Sequence, residues 1–171
     1  IKLNAAGEVR ITPTAVLKAG GNLEIEAAAD LNNAGKLLTD FNQANNLNSG
    51  GAITLRSVEG KLVNTGQIAS SGDLNARINY ELNNSQGSLS AEGAVSLHIN
   101  HLVNTDGVIA GKTVLATIYS ARSRPKSGYH SGYYEFESGG VDNTRGLIQA
   151  EEALTLSTRS LMNVNTQSSD A

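Results

Sequence analysis

The chain has 171 residues, enough for one sizeable core. With 39% hydrophobic and 17% charged residues it is expected to fold in water, and its apolar runs fall far short of the ~20 residues of a membrane-spanning helix. A net charge of −3 speaks against nucleic acid as a global partner, and the lack of cysteine excludes disulfides and thiolate metal sites.

Glycine numbers 18 and proline only 2, so the many turns rest on Gly and Asn. No basic-then-apolar leader opens at Ile1 and neither end reads as a cap, so a fragment of a longer parent is expected.

In chain order, each period opens with a strictly alternating stretch. Leu23/Ile25/Ala27, Ile53/Leu55, Leu74/Ala76/Ile78, Val95/Leu97/Ile99 and Leu154/Leu156 are the apolar members. Glu24, Glu26, Thr54, Arg56, Asn75, Arg77, Ser96, His98, Thr155 and Ser157 alternate with them, so one face is buried and the other wet.

Each stretch leads into an apolar-x-Asn step followed by Gly. The units are LNNAGKLLT from Leu31, LVNTGQIAS from Leu62, LNNSQGSLSA from Leu82, LVNTDGVIAG from Leu102, VDNTRGLIQA from Val141 and the degenerate LMNVNTQSS from Leu161. The anchors Asn33, Asn64, Asn84, Asn104, Asn143 and Asn163 are spaced by 31, 20, 20, 39 and 20 residues. The period is therefore about 20, with insertions in two intervals. After the Gly comes a second short, half-buried strand, as in Gln67-Ile68-Ala69-Ser70.

Two strands per period and no long 3.6-residue periodicity leave an antiparallel meander or a parallel coil. Only the coil puts equivalent residues ~4.8 Å above one another, and recurrence of Asn at one position is what such stacking predicts. The expected fold is all-β: a right-handed parallel β-helix of about seven ~20-residue coils, roughly 30 to 35 Å long. It forms one segment over residues 1–171, with insertions at 40–49 and 119–138. The asparagines are expected to form a structural ladder and to take the left-handed backbone conformation at a corner, with the following Gly at a second tight corner.

The unit L-x-N-x-x-G-x-I-x-A resembles the filamentous haemagglutinin repeat, most clearly from Leu62 to Gly111. The resemblance implies a large bacterial exoprotein of the two-partner secretion type, an adhesin or a contact-dependent growth inhibition effector. It also implies export through an outer-membrane partner and a place outside the cell or on its surface. No cofactor is implied.

The insertion at 119–138 is the compositional outlier. It holds Tyr119, Tyr129, Tyr133, Tyr134 and Phe136 with the cations Arg122, Arg124, Lys126 and His130. Alternation from Val114 to Ala121 and from Tyr133 to Phe136, around a turn-rich middle, suggests a projecting β-hairpin. Aromatics interleaved with Arg suit a receptor, protein or glycan, on a host or neighbouring cell; the simpler reading is that they cover the side of the rod. The insertion at 40–49 reads as a loop around Phe41.

Parallel β-helices also host polysaccharide lyases and hydrolases, which need clustered carboxylates. Glu24 and Glu26 share an outward face, but later coils place Thr54, Arg56, Asn75, Arg77, Ser96 and His98 there, and Glu151 and Glu152 read as solvating residues. His98 and His101 are an odd number of residues apart and point away from each other in a strand, against a metal pair. A shaft segment that displays and presents is expected, with a carbohydrate-active enzyme as the alternative.

Overall fold

A computed structural model describes residues 1–40, 50–119, 124–125, 134–135 and 139–164. No helix occurs among them. The first coil consists of β1 (Lys2–Ala5), β2 (Val9–Ile11) and β3 (Val16–Ala19); the second of β4 (Leu23–Ala27), β5 (Leu31–Asn33) and β6 (Lys36–Thr39). The third holds β7 (Ile53–Ser57), β8 (Leu62–Asn64) and β9 (Gln67–Ser70). Each coil thus has three strands, one per face. Sequence reasoning counted two, because the apolar-x-Asn step is itself a three-residue strand, too short for alternation to reveal.

From the fourth coil on, strands run through corners. β10 (Leu74–Asn83) and β12 (Ala94–Val103) each line the first and second faces, and β11 (Ser88–Ala91) lines the third. β13 (Val108–Ile118) completes the fifth coil and opens the sixth. Beyond it lie β14 (Arg124–Pro125), β15 (Tyr134–Glu135), β16 (Gly140–Asp142), β17 (Leu147–Ser157) and β18 (Ser160–Met162).

The coil-to-coil pairings are parallel, with register shifts at Ile78/Glu81 in β10 and at Gly111/Thr113 in β13, so the chain is a parallel β-helix and not a meander. The register stacks like on like. On the first face Leu3, Ile25, Leu55, Ala76, Leu97, Ala116 and Leu156 form one column. On the second, Leu31, Leu62, Leu82, Leu102, Val141 and Leu161 form another. The third carries Leu17, Leu37, Ile68, Leu89, Ile109 and Ile148.

The three columns meet along the axis, where Leu23, Ile25, Leu55, Leu62, Ile68, Leu82 and Leu89 are fully buried. Burying each such side chain contributes about 1.5–3 kcal/mol against exposure. The inward rows open at the two ends of the described stack: Leu3, in register with the buried Ile25, is 38% exposed, and Leu154, in register with the buried Val114, is 47% exposed.

The alternation that starts at Val114 begins inside the rod. Through Ile118 it is the first-face strand of the sixth coil, clasped between β12 and β17. The hairpin pairing lies further on, where Arg124 opposes Glu135 and Pro125 opposes Tyr134 in a two-stranded antiparallel sheet of its own.

Candidate functional site

At the end of the second face, the chain turns with an Asn side chain pointing into the rod. Asn33 Nδ2–H donates to Asn64 Oδ1 at 2.8 Å, Asn64 to Asn84 and Asn84 to Asn104 at 2.7 Å, Asn104 to Asn143 at 2.7 Å, and Asn143 to Asn163 at 2.9 Å. All six anchoring asparagines lie in this one line. The amides also cap the neighbouring corner: Asn64 Nδ2 reaches the Ser88 carbonyl at 3.1 Å and Asn84 Nδ2 the Val108 carbonyl at 3.0 Å. Asn64, Asn84 and Asn104 are wholly buried, so each of these bonds satisfies a group that would otherwise cost about 1–3 kcal/mol. Donors all point the same way along the axis, an arrangement in which successive bonds polarise one another.

Asn33 Oδ1 is buried without a hydrogen-bond partner among the described residues. Its register neighbour in the first coil is Ile11, which has no donor to offer. Ile11 also packs against the core, so the gain shows against a variant that loses the same packing: Ile11→Asn is expected to add a rung and to be about 1 kcal/mol more stable than Ile11→Ala. Denaturant unfolding of the two variants checks this, and a midpoint for Ile11→Asn no higher than for Ile11→Ala would reject it.

The corners differ from the expectation in their backbone. The asparagines do not take the left-handed conformation; Gln86 (φ 62°), Asp106 (φ 55°) and Arg145 (φ 53°) do. These residues are the extra member in the longer corners, such as Asn84-Ser85-Gln86-Gly87, and are absent from the shorter Asn64-Thr65-Gly66. An Asx turn closes two of the long corners, with Asn83 Oδ1 accepting from the Ser85 N–H and Asp142 Oδ1 from that of Thr144.

The Gly that follows serves close approach. A Cβ on Gly107 would lie 2.1 Å from the Asn84 carbonyl oxygen in the coil below, and one on Gly87 2.2 Å from that of Asn64.

On the outside of the same corners, Arg145 grips Asp106 with two bonds, Nε to Oδ1 at 2.7 Å and a terminal nitrogen to Oδ2 at 2.6 Å. The guanidinium, chiefly by hydrogen bonding, holds the Asp106 carboxyl below its usual range, and Asp106 in turn raises Arg145. Hydroxyls form a smaller cluster that sequence reasoning passed over. Thr39 and Ser70 both donate to the Gly51 carbonyl, tying down the chain as it returns from the insertion at 40–49. The signal was there, in the small residue that ends each third-face strand.

Of the residues named for the hairpin, Tyr119 is half exposed, with its ring centroid 6.3 Å from that of His98. Arg124 and Tyr134 lie on the paired strands β14 and β15. Arg122, Lys126, Tyr129, His130, Tyr133 and Phe136, and the 40–49 loop from Phe41 onward, lie outside the described residues. On the first face, Glu24 pairs with Lys2 at 2.8 Å and Glu26 with Arg56 at 3.4 Å. His98 is exposed while His101 is partly covered at the next corner, and no group of three or more His, Asp or Glu suited to a metal occurs among the described residues. Glu151 and Glu152 are both exposed at the corner inside β17, where Glu152 pairs with Lys112 at 3.2 Å.

A rod of in-register parallel coils with an internal Asn ladder defines a repetitive β-solenoid protein. The haemagglutinin repeat model matches residues 1–80, 60–122 and 116–171, and the chain belongs to that family, whose members are secreted or surface-exposed. No curated protein and no solved structure matches it.

Proposed function

We propose that the chain is a shaft segment, a single β-helix of about seven coils interrupted at 40–49 and 119–138, within a two-partner-secretion exoprotein. It extends and displays adhesive or toxic parts toward other cells, is exported through an outer-membrane partner, and meets a receptor protein or glycan through the 119–138 insertion. The Asn33-to-Asn163 ladder carries this reading: it ties every coil from the second onward into one line, which suits a stiff spacer. No chemistry is required of the rod.

Excision of residues 65–84 from the parent removes one 20-residue period and joins Asn64 to the next corner in register. Secretion and cell attachment are expected to survive, whereas replacing residues 122–132 by a Gly-Ser turn is expected to abolish attachment. Attachment unchanged by that replacement would reject the insertion as the contact. Cleavage of pectin-like glycans, lost on changing Glu24 or Glu26, would establish the enzymatic alternative.

A further inference from the structure

The outward side of the first face carries two parallel rows. Arg56, Arg77 and His98 stack in successive coils, and beside them Thr54, Asn75 and Ser96 stack in the same three. Between the rows runs a shallow groove of about 330 Å³, aligned with the rod. One row offers two guanidinium groups and an imidazole about 4.8 Å apart and the other hydroxyl and amide groups at the same interval. Arg56 is partly engaged by Glu26, but no carboxylate pairs with Arg77 among the described residues. At the far end, the half-exposed Tyr119 ring lies beside His98.

We infer that this groove binds a linear uronic-acid polysaccharide laid along the rod axis. Guanidinium groups match carboxylates bidentately, and Arg77, with no carboxylate of its own, sits in the middle rung where a sugar carboxylate can meet it. The Thr54, Asn75 and Ser96 row meets sugar hydroxyls. A denser polyanion is disfavoured, because Glu24 and Glu26 lie next to Thr54 and Arg56 in the coil below and the chain as a whole carries −3. The inference stands apart from the shaft reading, since it concerns the wall of the rod and not the insertion.

The test is titration of the 171-residue chain with a galacturonate hexamer, its methyl ester and a heparin hexasaccharide. The galacturonate hexamer is expected to bind, and methyl esterification to weaken binding at least tenfold. Arg77→Gln should weaken it about fivefold, with an unchanged melting curve because Arg77 is exposed. Lys36→Gln, on another face, should leave binding unchanged. Absence of binding, equal binding of the ester, or insensitivity to Arg77→Gln would overturn the inference. So would an equal loss with Lys36→Gln, or tighter binding of heparin, which would mark a general cation effect.

Discussion

Replacement of Asn64 by leucine is expected to cost about 4 kcal/mol, more than almost any surface change in this protein. The side chain is fully buried, and on its replacement three polar groups lose a partner. One amide N–H of Asn33 loses its acceptor, Asn84 Oδ1 loses its donor, and so does the Ser88 carbonyl. Each buried orphan costs about 1–3 kcal/mol, and leucine's added apolar surface offsets only part of that. Asn75→Leu is the control, because Asn75 is exposed on the first face; a change within about 0.5 kcal/mol is expected there. Denaturant titration followed by circular dichroism measures both. A loss at Asn64 no larger than at Asn75 would mean that the ladder contributes nothing to stability.

Gly107→Ala should be nearly as damaging, by about 3 kcal/mol, for a steric reason. The new methyl group would sit 2.1 Å from the backbone oxygen of Asn84 and 2.5 Å from Asn104 Oδ1, inside van der Waals contact with both. Neither atom is free to retreat. The first belongs to the coil below and the second is a rung of the ladder, so relief requires the two coils to part. Since each coil touches only its neighbours, the disruption is local in structure but divides the rod in two. Gly20→Ala, where a Cβ meets nothing within 4 Å, should be tolerated. Thermal melts of the two variants separate the cases, and equal melting temperatures would show that the corners can relax.

The ladder was legible because it is a recurrence of identity at one position. In a parallel stack, equivalent residues touch, so the six asparagines that align in the sequence are the six that meet in space. The inward columns were legible from alternation for the same reason. Three things were not. The second-face strand, Leu62–Asn64 in the third coil, is too short to show a period. The left-handed corner residue has no fixed chemistry, since Gln86, Asp106 and Arg145 share only a place before Gly. The start of the hairpin was hidden because Val114 to Ile118 alternates as any strand does, and only its pairing with β12 and β17 assigns it to the rod.

The groove on the first face shows the same division. Arg56, Arg77 and His98 recur every 21 residues at outward positions, which in the sequence shows only that no carboxylate row forms there. Stacking turns three scattered side chains into a row, and the adjacent Thr54, Asn75 and Ser96 row turns that row into the wall of a groove.

Sequence by itself determined that this protein is a stack of 20-residue parallel coils with an asparagine ladder, since a one-dimensional repeat writes its own contacts as recurring identities. Tertiary structure decided which backbone position turns each corner, why Gly follows it, and which outward residues act together. Those depend on how closely one coil lies on the next, a distance that no single period encodes.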